Sequence, residues 1–233
     1  SANSIMYGTQ LIRNGFARRA IVGGVDSLAK FTINGFNSLG ILSPGYCKPF
    51  DKDRNGLNLG EGAAFLVLEK EEDIGNRQPY CFISGYGNAN DAYHPSSLSE
   101  NGEGPFRAMQ GALQRAGLKP VDIGFVGTHG TGTENNDEVE SKAMLRIFGI
   151  VPPFASAKSK IGHTLGASAA VEAVFNIIAL HHGEIYPSLN FTNPIESTGL
   201  SPVASTQKLQ LSHVMSNSFG FGGNCTSLIF SKA

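Results

Sequence analysis

Charge, cysteine and long apolar runs are all scarce in this chain. Of its 233 residues only 16% are charged, and the formal net charge is -1. Without a basic excess, nucleic acid is not the expected partner. The cysteines are Cys47, Cys81 and Cys225, far apart and with no CxxC pair. That spacing argues against a disulfide framework or a zinc site and for a reduced, cytoplasmic setting. No stretch reads as a membrane span, and no basic segment followed by an apolar one marks a signal peptide. What the chain does have is 41% hydrophobic residues, enough for a substantial core. It also has 29 glycines, gathered in the short loops VGGVD, LGEGAA, THGTGT and SFGFGGN, where backbone can approach a ligand or another strand.

The opening stretch SANSIMYGTQLIRNG reads as a helix from its first residue. Ile5, Thr9 and Ile12 form a stripe that Met6 widens, Ser1 is the candidate N-cap, and Gly15 sits where a left-handed stop belongs. Ala20 to Val25 reads as a buried strand, and Ala63 to Lys70 as a strand covered on both faces. Between them, KPFDKDRNGLNLGEG reads as an ordered polar loop. Further on, Pro105, Phe106, Met109, Leu113 and Gly117 define an amphipathic helix. Strands entering loops then alternate with helices, one capped by Asn136 or Asp137 and one, GASAAVEAVFNIIALHHG, nearly all apolar and therefore buried. The chain closes on two strands joined by a glycine loop. The fold class is α/β with mixed sheets, divided near Gly75–Pro79 into residues 1–75 and 76–233.

Three loops, each following a strand, carry the candidate chemistry. In GTHGTGTENNDEVE, His129 follows the strand directly, Thr131 and Thr133 supply hydroxyls, and Asp137 and Glu140 lie one turn apart on the next helix. In SAKSKIGHTLGASAAVE, Lys158, His163 and Glu172 lie close together, and Glu172 sits in an apolar helix where an unpaired carboxylate is costly. Lys158 is its natural partner. In NSFGFGGNC, successive backbone N–H groups can form an anion-binding nest. Each loop also has a plainer structural explanation: a satisfied loop histidine, a buried ion pair, a tight glycine turn. Two histidines and a nest together suit the stabilisation of a thioester oxygen, an enolate or an oxyanion. His129 and His163 lack the HxH or HxxxH spacing of metal ligands, so no metal is expected. His181 and His182 close a helix and read as structural.

In these three loops the sequence closely resembles the β-ketoacyl-[acyl carrier protein] synthases, the elongating condensing enzymes of fatty acid and polyketide assembly. GTHGTGT, KSKIGH followed by GASAAVE, and NSFGFGG occur in the family's order and spacing. PFDKDRNGLNLGEGAAFLVLEK and DAYHPSS also look like family segments. The resemblance implies a thiolase-like fold of two βα halves in five αβαβα layers, usually a cytoplasmic homodimer, with the N-terminal half incomplete here. It implies decarboxylative Claisen condensation of malonyl-acyl carrier protein with an enzyme-bound acyl thioester. The partner is acyl carrier protein, and there is no cofactor beyond the phosphopantetheine the substrate carries.

Carried onto this chain, the family's active-site histidines are His129 and His163, organised by Lys158 and Glu172. Phe221 is the gating phenylalanine and, with Gly222, supplies the oxyanion hole. Thr131, Thr133, Ser96 and Phe219 line the substrate and pantetheine channel, and Phe36 shapes the acyl pocket. There are departures. GFGG continues with Asn224-Cys225 where the family usually has Thr-Asn, and NSLG follows the NGF turn where many members carry a cation. The family's nucleophilic cysteine precedes a helix that looks like SANSIMYGTQLIRNG, and none of the three cysteines here has that context. The expectation is a piece of a synthase, inactive by itself. The alternatives are a non-catalytic partner subunit resembling a chain-length factor, or a thiolase-like acyltransferase using Cys225.

Overall fold

The computed structural model describes residues 1–233. Helix α1 (Ala2–Arg13) buries Ile5, Thr9 and Ile12, the stripe expected of it. Gly15 follows at φ +75°, the left-handed stop. Ser1 caps only by position: its hydroxyl accepts from the Ala170 N–H, 3.0 Å away, tying the start of α1 to a distant helix. Strands β1 (Arg19–Asp26) and β2 (Gly62–Glu69) pair antiparallel, with Ile21 opposite Val67 and Val25 opposite Ala63. Short α2 (Lys30–Ser38) between them buries none of its residues.

The larger sheet comprises β3 (Phe82–Asn90), β4 (Phe125–Gly127), β5 (Phe154–Ala155), β8 (His213–Phe219) and β9 (Asn224–Ser231), in the order β3-β9-β8-β4-β5. It is mixed: β4 runs parallel to β5 and β8, while β9 is antiparallel to β3 and β8. A small ladder joins β6 (Glu184–Ile185) and β7 (Gln207–Lys208). Helices α3 (Glu103–Ala116) and α4 (Glu134–Phe148) cover one face through Met109, Leu113, Met144, Met215 and Ile229. Helices α1 and α6 (Ser168–His182) fill the space between the two sheets, where Ile5, Val22, Leu180, Val214 and Phe230 meet. A single turn, α5 (Lys158–Ile161), precedes His163.

Three sequence expectations need correction. The layered α/β arrangement with an incomplete N-terminal half is as expected, and nothing in this chain lies over the outer face of β1/β2. Those strands are therefore covered on one face, not two, and Ile21, Val25, Phe65 and Val67 are exposed in a row. Helix α4 is capped at Thr133, since Asp137 turns inward to bind loop N–H groups. Finally, Leu165–His182 does have the length and mean hydropathy (1.2) of a membrane span. More than half of it is buried inside the protein, as befits a core helix.

Candidate active site

His129 sits at the C-terminal end of β4, on a loop held by carboxylates from the following helix. Glu140 accepts from the His129 and Gly130 N–H groups, both at 2.9 Å. Asp137 accepts from Thr131, Gly132 and Phe50 N–H. Glycine is required at 130 because a Cβ there would lie 2.6 Å from Ser156. Arg54, buried, donates to the Thr133 and Glu134 carbonyls and clamps the polar loop 48–62 against the start of α4. The same loop positions the second histidine: His163 N–H donates to the Asn58 carbonyl at 2.7 Å, and Gly60 N–H donates to the His163 carbonyl at 3.0 Å. Thus the ordered loop read in the sequence braces both histidines.

The two imidazoles lie edge to face, with ring centroids 5.3 Å apart. Burial, then the nearby Lys158 charge, hold both well below the usual histidine range, so they are neutral. Their tautomers are set by their neighbours. Lys158 Nζ lies 3.3 Å from His129 Nδ1, and an ammonium can only donate. His163 Nδ1 accepts from the Leu165 N–H at 3.1 Å. In each ring Nε2 therefore carries the hydrogen. Lys158 also donates to the His129 carbonyl at 2.6 Å and pairs with Glu172, the partner expected for that buried carboxylate. Burial pushes Glu172 up, and Lys158 opposes that shift.

Both histidines open onto a cavity of about 770 Å³. Ser96, Thr131, Thr133, Phe36, Phe219 and Phe221 line it as expected, and so do Ser1, Ala2 and Asn3 at the start of α1. Thr131 and Thr133 share a hydroxyl hydrogen bond of 2.9 Å. Phe221 stacks on Phe36 with centroids 5.9 Å apart. Lys158 and Glu172 stand behind the histidines, outside the lining. Gly222 is also outside it, and its N–H is spent on the Pro95 carbonyl at 2.7 Å, so its oxyanion role is not supported. Cys225 is buried away from the cavity, and burial followed by Asp91 and Glu140 pushes its thiol up to about 12. Cys81 is likewise pushed up to about 12, and Cys47 is raised. Buried and outside the cavity lining, Cys225 is not placed to act as a nucleophile there.

The N-terminal domain of the β-ketoacyl synthase family matches residues 1–74, and its C-terminal domain matches residues 80–192. The chain belongs to the β-ketoacyl synthase family. It is 37% identical to the mitochondrial 3-oxoacyl-[acyl-carrier-protein] synthase of Arabidopsis thaliana, over 99% of this chain and 54% of that protein. The ishigamide ketosynthase/chain length factor structure superposes with TM-score 0.95 at 34% identity, over 100% of this chain and 58% of that one. A type II polyketide ketosynthase, solved with its acyl-carrier protein and a hexaketide, superposes with TM-score 0.96 at 26% identity, over 100% of this chain and 60% of that one. The fold is thus thiolase-like, and the chain spans little more than half the length of these relatives.

Some of the candidate site was not assigned in the sequence. Asp137 and Glu140 were visible as a pair one turn apart, yet their grip on the His129 loop depends on the path of that loop. Asn217, fully buried on β8, donates to Glu140 at 3.2 Å and accepts from Ser227. Nothing in NSFGFGG marks it off from the cavity residues beside it.

Proposed function

We propose that the complete protein carrying this chain is a β-ketoacyl-acyl carrier protein synthase, catalysing decarboxylative condensation. The reading is carried by two neutral histidines with Nε2–H donors on one cavity. The malonyl thioester oxygen sits between those donors. As the bond to the carboxylate breaks and carbon dioxide leaves, negative charge builds on that oxygen and both rings stabilise it. The resulting enolate carbon attacks the acyl thioester, and the cysteine sulfur of the acyl-enzyme departs as thiolate. That cysteine belongs to the part of the synthase this chain does not span. The start of α1 in the cavity wall is consistent with it, since a helix N-terminus favours a thiolate. Thr131, Thr133 and Ser96 hold the pantetheine arm, and the partner is acyl carrier protein. The protein acts in the cytoplasm as a homodimer, without metal or bound cofactor.

The test is product formation by the complete synthase with acyl- and malonyl-carrier protein. His129→Ala should lower kcat by at least about 100-fold, the typical cost of one oxyanion donor. Undiminished condensation in that variant overturns the reading. A chain-length-factor role is the second reading, since one close structural relative pairs a ketosynthase with such a factor. A residue other than cysteine at the nucleophile position of the complete protein would favour it.

A further inference from the structure

Helix α6 is apolar except along one stripe. From Ser168 to Leu180 its polar residues are Ser168, Glu172 and Asn176, four apart and therefore on one face. All three are buried. The Ser168 hydroxyl donates to Glu172 Oε1 at 3.2 Å, and Lys158 pairs with the same oxygen. Glu172 Oε2 has no hydrogen-bond partner, and neither has Asn176 Nδ2. Both atoms are enclosed by this chain's own residues, so no other part of the protein can reach them.

Asn176 is held from two sides. Its Oδ1 accepts from the Tyr186 hydroxyl at 2.9 Å. Tyr186 keeps its proton, since burial and then the Glu172 charge push it up. Its ring meets Phe125 of β4 edge on, with centroids 5.3 Å apart. The amide also packs on Gly127 of β4, two residues before His129, where a Cβ would lie 2.3 Å from both Oδ1 and Nδ2. Reversing the amide would leave its oxygen, an acceptor, one turn from the unpartnered carboxylate oxygen. As placed, the amide leaves a donor there. A buried amide in an apolar helix costs free energy unless its hydrogens are used.

Resting on the synthase reading, we propose that Asn176 is a positioning residue of the reaction, its Nδ2–H serving Glu172 Oε2 across one enclosed water. A water can accept from the amide and donate to the carboxylate, as it does across polar gaps too wide for a direct bond. With donors on both oxygens, Glu172 stays ionised and turned to Lys158. Lys158 then stays an ammonium, which keeps the hydrogen of His129 on Nε2. The polar groups around Glu172 are Lys158 of α5, Ser168 and Asn176 of α6 and Tyr186 after β6, with neutral His129 beyond Lys158.

The test uses the complete synthase and two variants of nearly equal volume, Asn176→Ala and Asn176→Ser. They open the same space, but only serine keeps a hydroxyl donor, so a purely structural loss would affect both alike. Difference infrared spectroscopy follows the protonated-carboxyl stretch of Glu172 against pH, assigned with Glu172→Gln. Losing a donor to a carboxylate favours its protonated form. In Asn176→Ala the midpoint should therefore rise by about one pH unit and kcat fall about tenfold, with KM for malonyl-carrier protein within about twofold. Asn176→Ser should restore most of both. Tyr186→Phe removes only the hydroxyl that orients the amide; it should shift the midpoint the same way and serves if the alanine variant fails to fold. A midpoint unmoved in these variants, or moved equally by alanine and serine, overturns the assignment. A protein that condenses nothing, yet shows the shift with alanine and not with serine, supports the positioning of Glu172 and overturns the synthase reading instead.

Discussion

Strands β2 and β9 are both eight residues long and mainly apolar, yet they end in opposite surroundings. From Cys225 to Ser231, β9 is buried on both faces, between the inter-sheet helices and α3. In β2 every second residue is open, Phe65 and Val67 among them. The residues of the candidate site fall mostly on the covered side. His129 stands on the loop after β4 of the covered sheet, Lys158 on α5, His163 just after it, and Glu172 on α6 between the two sheets. The sheet with the bare face lends the site only the loop that leads into it and the helix before it. A precise donor geometry needs rigid backing, which the covered sheet and α4 supply behind His129 and loop 48–62 supplies at His163.

That contrast can be broken by experiment, from large effects to small. Phe230→Ala, in the fully buried centre, should destabilise the protein by about 3–5 kcal/mol, read by denaturant unfolding. A cost below about 1 kcal/mol would show that the covered core is not what holds the fold. Lys158→Met leaves Glu172 buried without its partner and should cost about 3–5 kcal/mol, with condensation lost as the His129 tautomer is released. A Lys158→Met protein of unchanged stability would contradict the buried pair.

A pH profile probes the brace behind His129. Burial pushes Glu140 up to about 7, against the hydrogen bonds from Gly130 and His129. Below that pH it gains a proton and loses an acceptor for those N–H groups, so kcat should fall as pH drops through about 7. The histidines do not contribute to that limb, since both are already neutral well below 6.5. Glu140→Gln mimics the protonated state and should be slow and flat; an unchanged acid limb in it would assign the limb elsewhere. Smallest of all, Phe65→Ser on the bare face should shift the stability of this chain by no more than about 0.5 kcal/mol.

Much of this was legible in the residues. The period of α1 and its glycine stop, the amphipathic α3, and the pair of strands around SFGFGG follow from local patterning, which depends on near neighbours alone. The pairing of Lys158 with Glu172 was legible because a carboxylate in an apolar helix must find a cation. Apolar content misled at β1 and β2, because it reports what a strand can bury and not what lies against it. Asn136 and Asp137 misled as caps, because cap chemistry and loop-bracing chemistry use the same side chains.

The sequence by itself determined the α/β class, the elements and the two histidines as candidate donors. Those rest on short-range periodicity and on residue types with few uses. The tertiary structure decided the rest. It brought residues 129 and 163 to a centroid separation of 5.3 Å and set both tautomers through Lys158 Nζ and the Leu165 N–H. It excluded Cys225 by burying it. It also turned the asparagines at 3, 88 and 224 into one cluster, across separations in sequence that no local pattern encodes.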